Sequence, residues 1–294
     1  MILILLNTIL LSTSCISATS IWNSETAKYI QNDICNNQPE HPLIELNLTG
    51  TIPAWLNGNY FRNGPGQFDT NNNTQQVNSV FDGYSQIHKF TIDGTKQIVT
   101  HMSKFVESAR HITLKQRNDM SYQGKIMFGT TPTRTENYLN VFNLGGEVSV
   151  NLFQVGNENN LLAVGELPYG QEINPSTLET IQGTDKKGGK NGNFFKYNDS
   201  ISEMGVGCAH ALTLNNGDTF TRLAIIDMAS MATHTDYQIV RIKKDTTTRE
   251  VMATVKKLDS QITYSHSFAM VNSTLAVLPC KFSFDIDVIT QVFH

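Results

Sequence analysis

The sequence predicts an all-β protein, and three observations carry the prediction. Short apolar or alternating runs recur along the chain, closed by Asn-Gly, Asp-Gly and Gly-Pro punctuation. Helical periodicity with caps is nowhere sustained. With 39% hydrophobic and 16% charged residues, the 294-residue chain can build a core and does not have the composition of a disordered one. Regularly spaced short strands leave a sandwich, a barrel and a propeller open.

Met1 to Leu11 is nearly all apolar, and the small residues Ser12 to Ala18 follow. Residues 1–18 therefore read as a secretory signal peptide cut near Ser17 or Ala18. The positive flank is missing, and the competing reading is a short buried strand. Beyond this stretch no apolar run has the roughly 20 residues a membrane-crossing helix needs. Sequons at Asn47, Asn72, Asn198 and Asn272 are compatible with a secretory route. Without Cys15, the cysteines Cys35, Cys208 and Cys280 are an odd set in a long chain, not a disulfide framework. Residues 19–49 read as an irregular lead-in with Pro39 and Pro42.

From residue 50 onward the strands begin. Trp55 to Arg62 is followed by Asn63-Gly64-Pro65-Gly66, which reads as a tight turn. Gln86 to Ile92 alternates with period two and ends in Asp93-Gly94; Gln97 to Met102 comes next. Further strands are expected at 125–130, 139–143, 148–155, 161–165, 219–227, 238–243 and 251–258. Lys186 to Gly192 has three lysines but no Ser/Thr and helix behind it, so it reads as a solvated loop, not a phosphate cradle. Trp55, Phe61, Phe68, Phe81 and Phe90 read as core.

Two histidines stand out. His266 lies between two serines and two aromatics, ahead of the turn Asn272-Ser273 and the apolar run Leu275 to Leu278. His210 precedes the hairpin signal Asn215-Asn216-Gly217-Asp218. Each sits just before a hairpin, as on equivalent positions of successive sheet units. Taken alone, neither has a short-range metal motif around it. A nucleophile elbow, a Cys-x-x-Cys pair, a His-Glu-x-x-His helix and a Gly-x-Gly-x-x-Gly turn are all missing from the sequence. The net charge of −4 argues against nucleic acid as a partner.

Several segments, taken in order, resemble the carotenoid cleavage oxygenase family, which includes carotene-cleaving dioxygenases and the related retinoid isomerase of the vertebrate eye. They are Leu56 to Gly66, Phe81-Asp82-Gly83 through Phe90, Lys104 to Ser108, Gly165 to Tyr169 and Ile173 to Thr180, completed by the two histidine segments. The Arg62-Asn63-Gly64-Pro65-Gly66 and Asn174-Pro175-Ser176-Thr177-Leu178-Glu179-Thr180 stretches are the most specific.

The resemblance implies a seven-bladed β-propeller with a ferrous ion, Fe(2+), on its axis. That ion is held by four histidines from four blades, three of them oriented by glutamates. Carried over, His210 and His266 match the first and second ligands, and Glu166 matches a carboxylate that orients an imidazole. Neutral imidazoles suit Fe(II) and leave room for O2. The implied activity is a dioxygenase that cleaves a conjugated double bond of a carotenoid or retinoid-like apolar substrate, with peripheral membrane contact. The alternative is a non-enzymatic secreted β-protein binding an apolar ligand or a partner. Two departures stand out. Ala211 replaces the proline that usually follows the first ligand, and residues 50–294 stop before the third and fourth ligands. Phe293-His294 is too close to His266 to supply one. His41, His88, His101, His111 and His234 match no ligand position. The expectation is thus a partial propeller carrying two of four ligands.

Overall fold

The computed structural model describes residues 36–70, 74–77, 79–118, 130–132, 148–156, 160–166, 170–181, 194–201, 205–226, 235–256, 261–263, 266–271, 274–276 and 283–285. The expected leader, the strand at 139–143, most of that at 125–130, the lysine loop, Asn72, Asn272, His234, His294, Cys35 and Cys280 lie outside the described residues.

In chain order, β1 (His41–Glu45), β2 (Asn57–Gln67), β3 (Gln76–Val77), β4 (Tyr84–Asp93) and β5 (Ile98–Phe105) come first. A helix, α1 (Ala109–Arg117), and β6 (Thr130–Thr131) follow. Strands β1, β5, β4 and β2 form the first antiparallel sheet in that spatial order, while β3 pairs with β6. Gln97, in the left-handed region, helps close the tight β4–β5 connection, and the Asp93 carboxylate accepts the Lys96 N–H at 2.9 Å.

Three expectations are corrected here. Asn63-Gly64-Pro65-Gly66 is not a turn: β2 runs straight through it, paired with β4 from Asn57↔Asp93 to Pro65↔Ser85. Proline is tolerated because β2 is an edge strand, and the register shift between Pro65 and Gln67 marks an irregularity at Gly66. A helix exists where none was expected. The Ser108 hydroxyl caps α1 by accepting the His111 N–H at 3.1 Å, and Asn118 ends it in the left-handed conformation. The lead-in also contributes a strand, because β1 docks on β5 as the outer edge of the first sheet.

The second sheet is β7 (Asn151–Val155), β8 (Asn160–Val164), β9 (Gly170–Ile173) and β10 (Thr180–Ile181), in consecutive order. The Asn174 side chain closes β9 onto β10 by accepting the N–H groups of Ser176 and Thr177 at 2.8 and 3.2 Å. The third sheet starts with β11 (Gly205–Gly207) and β12 (Leu212–Thr213), which both pair with β13 (Thr219–Ile226). It continues through β14 (Thr235–Ile242) to β15 (Arg249–Lys256). Two short ladders follow: β16 (Gln261–Thr263) with β19 (Ser283–Asp285), and β17 (Ala269–Val271) with β18 (Thr274–Ala276).

The three sheets stack face against face, and β8 shows how. All five of its residues are buried, so it has no solvent side. Leu161 and Ala163 join Ile87, Val106, Val148, Ile173 and Leu178 in the core between the first and second sheets. Leu162 and Val164 point the other way, to Phe153, Val155, Phe195, Tyr197 and Ile242 against the third. Alternation in a strand covered on both faces yields an unbroken apolar run. A third core under the first sheet gathers Phe68, Val77, Tyr84, Phe105 and Leu114 from α1. Phe68 is core as expected, but Trp55 and Phe81 are 79% and 69% exposed. Both belong to turns outside the strands, where no second layer covers them.

Candidate metal centre

Three chain segments meet where the second sheet, the third sheet and the β17–β18 hairpin come together. Glu166 lies in the bend just after β8, and its carbonyl accepts the Gly207 N–H at 2.7 Å. His210 occupies the break between β11 and β12, where the chain leaves the ladder with β13 and the side chain is free of sheet register. His266 precedes β17, and the buried Phe268 beside it anchors that approach. The His210 N–H points at the His266 carbonyl at 3.3 Å, and the Cys208 thiol donates to the same carbonyl at 3.1 Å. The Thr221 hydroxyl in turn donates to the Cys208 carbonyl at 3.4 Å. Backbone and thiol contacts thus fix the spacing of the side chains before those side chains meet.

The two imidazoles approach through Nε2, 2.8 Å apart, with ring centroids 4.5 Å apart and planes at 77°. Rings meeting head-on would place their centroids about 2.3 Å further apart than their nitrogens. A second pair in the same chain does so: His88 Nδ1 and His101 Nε2 are 3.1 Å apart, with centroids at 5.3 Å and planes 17° apart. The His210–His266 centroids are closer than head-on contact allows, so the two ring axes meet at a bend and not in line. Two nitrogens bound side by side to one ion at about 2.1 Å stand about 3 Å apart, which this spacing matches.

Behind His266, Nδ1 is paired with Glu166 Oε1. A carboxylate only accepts, so Nδ1 carries the proton and Nε2 presents its lone pair forward. The orienting carboxylate therefore backs His266, not His210. Burial holds His210 below its ordinary imidazole value; His266 pushes the same way and Glu166 opposes. His210 is thus suited to the neutral state a metal requires. Burial also pushes the Cys208 thiol up to about 11, so it remains a protonated donor and not a thiolate ligand. The His266 side chain is 47% exposed, leaving the front of the pair open to a ligand.

Among the described residues no set of three or more His, Cys, Asp or Glu side chains is gathered for metal binding. A cavity of about 370 Å³ is lined by residues of β2, β7 and β8 such as Tyr60, Arg62 and Leu161, and by none of the trio. The sequence did not reveal two supports of the centre. One is the Cys208 thiol. The other is the buried Arg249–Asp199 pair (2.8 Å), which ties the chain before β11 to β15. Neither follows a motif, since each depends on where distant strands end.

The family model for the retinal pigment epithelial membrane protein matches residues 34–291. The chloroplastic carotenoid cleavage dioxygenase 8 of Arabidopsis thaliana is 27% identical over 257 residues, 81% of this chain and 40% of that protein. The beta,beta-carotene 15,15'-dioxygenase of Homo sapiens is 31% identical over 169 residues, 51% of this chain and 28% of that protein. Cobalt-substituted Synechocystis apocarotenoid oxygenase superposes with a TM-score of 0.59 at 19% identity, covering 82% of this chain and 47% of that one. The chain thus spans less than half the length of these relatives, and its stacked sheets are part of their seven-bladed propeller. From the extent of the family match and the shared fold, the chain belongs to the retinal pigment epithelial membrane protein family of carotenoid cleavage oxygenases.

Proposed function

We propose that this chain carries part of the metal centre of an oxygenase acting on a carotenoid or apocarotenoid. Its carrying observation is the 2.8 Å approach of the His210 and His266 Nε2 atoms, with Glu166 paired to Nδ1 of His266. The donor set fits a divalent first-row metal: imidazole nitrogens suit iron, and a cobalt-substituted relative is known. His210 and His266 would hold Fe(2+), with further ligands supplied from beyond the described residues. When bound, the iron supplies the means to activate O2 for cleavage of a conjugated carbon–carbon double bond.

The protein's own residues do the rest. Glu166 accepts the Nδ1 N–H of His266, which leaves the lone pair of the neutral ring on Nε2. The contacts of Cys208 and of the His210 N–H with the His266 carbonyl keep the two rings at fixed separation. The apolar sheet interfaces behind them exclude water from one side of the site. The substrate is inferred from the carotenoid-acting relatives, and a secretory destination is inferred from the apolar first eleven residues.

Anaerobic titration with Fe(II) or Co(II), followed by measurement of apocarotenoid formation under O2, tests the proposal. Binding that weakens at least tenfold in both His210→Ala and His266→Ala is expected. Unchanged metal binding in the double variant sinks the metal assignment. Metal binding with no carotenoid turnover sinks the oxygenase assignment.

A further inference from the structure

The outer face of the first sheet, opposite the side packed on the second sheet, carries one imidazole or guanidinium side chain from each strand. They are His41 on β1, His101 on β5, His88 on β4 and Arg62 on β2. Register places them together: Arg62 pairs with His88, His88 and His41 both pair with Ser103, and Ile44 pairs with His101. His101 is buried, at 9% exposure, and its ring lies 4.7 Å from Phe90 and 5.7 Å from His41.

The in-line His88–His101 geometry is that of a hydrogen bond, not of two ligands aimed at an ion. Such a bond needs one N–H and one lone pair between the rings. A first proton can be taken on an outer nitrogen and leave it intact. A second puts N–H on both facing nitrogens and forces them apart. The charges acting on the pair are Arg62 and His41, both of the repelling sign. The other charged side chains of these strands turn elsewhere. Lys89 lies over Phe61 and Lys104 pairs with Glu179, while Asp93 binds Lys96 at the hairpin end. Glu45 is in register with Thr100, on the opposite face, and the Glu40 carboxylate accepts the Phe105 N–H.

β1 is the outer edge strand of the first sheet, bonded on one side only. Only three register pairs join it to β5, with an irregularity between His41 and Ile44, and the His41 N–H leans on the Ser103 hydroxyl at 3.0 Å. We propose that His41, His88 and His101 form an acid-opened latch, in which double protonation of the His88–His101 pair beside Arg62 and His41 releases β1 from the first sheet. Burial, the leading cause, and the neighbouring positive charges both push His88 and His101 below the ordinary imidazole range, so the latch stays shut at neutral pH.

Hydrogen exchange of the full chain, read by mass spectrometry and corrected for intrinsic rates, tests this at pH 7.5 and 5.5. Protection of the amides of residues 41–46 should fall about tenfold more than that of β13 and β14 on acidification. His101→Gln, which keeps a hydrogen-bonding side chain without titrating, should remove that extra loss. Equal loss in wild type and variant overturns the latch, as does protection independent of pH. Should the variant not fold, ring-nitrogen NMR of the wild type decides. Two linked titrations below the ordinary range support the latch, and two independent ordinary ones overturn it.

Discussion

Glu166 and Arg249 show how single side chains set the chemistry and the frame of this protein. Glu166 acts through His266, so Glu166→Gln, which can turn a donor toward Nδ1, should lower affinity for Co(II) roughly 10- to 100-fold with little change in unfolding by urea. Isothermal titration of the anaerobic protein reads the first quantity and circular dichroism the second. Arg249 grips both oxygens of Asp199 at 2.8 and 3.0 Å, stacks on Tyr197 at 4.3 Å, and is all but sealed from water. Burial works against the Asp199 charge, yet the hydrogen bonds from Arg249 and from the backbone hold its carboxyl below the ordinary range. Removing one partner strands the other charge, so Arg249→Ala should cost about 3 to 5 kcal/mol in urea unfolding. The sequence singled out His210 and His266 by their places ahead of hairpin signals, but gave them and Glu166 roles only through the order of family-like segments. It could not say which imidazole Glu166 backs, because that depends on the path of the bend after β8.

At the level of strands and helices, alternation was readable wherever one face of a strand is wet or both are dry. The pattern of β4 and the runs of β13 to β15 announced themselves in this way. It failed where local chemistry was overruled by neighbours. Asn63-Gly64-Pro65-Gly66 has every mark of a turn, yet pairing with β4 holds it extended, and the Asn63 side chain bonds across to the carbonyls of Val148 and Asn151. α1 was missed because its nine residues give only about two and a half turns of periodicity, and its start rests on one hydroxyl. Ser108→Ala should therefore lower stability by about 1 kcal/mol, measured by chemical denaturation. Leu162 is completely buried between the second and third sheets, and Leu162→Ala should cost about 2 to 5 kcal/mol by the same measurement.

For the whole molecule, acid is the condition to which this architecture is most exposed. His111 is sealed against Tyr84 and Phe105, and burial, helped by Lys115 and Arg110, lowers it from the ordinary value to about 3. The unfolded chain takes up this proton near the ordinary imidazole value while the folded chain refuses it. Stability is thus complete above that value and is lost as pH falls from it toward about 3, by roughly 1.4 kcal/mol per pH unit. Urea midpoints between pH 7 and 4 should fall accordingly, and His111→Gln should flatten the profile by one proton. The stacking of sheets through β8 was not readable from any one strand, because the apolar run Leu161–Val164 does not say what lies on either side. The meeting of Glu166, His210 and His266 has a thermodynamic corollary. His210 and His266 are 56 positions apart, and whatever lodges in front of the two rings cross-links that loop in the native state alone. The melting temperature should then climb with metal concentration, by an amount equivalent to about 4 kcal/mol at a thousandfold excess over the dissociation constant, making a simple thermal scan a gauge of occupancy.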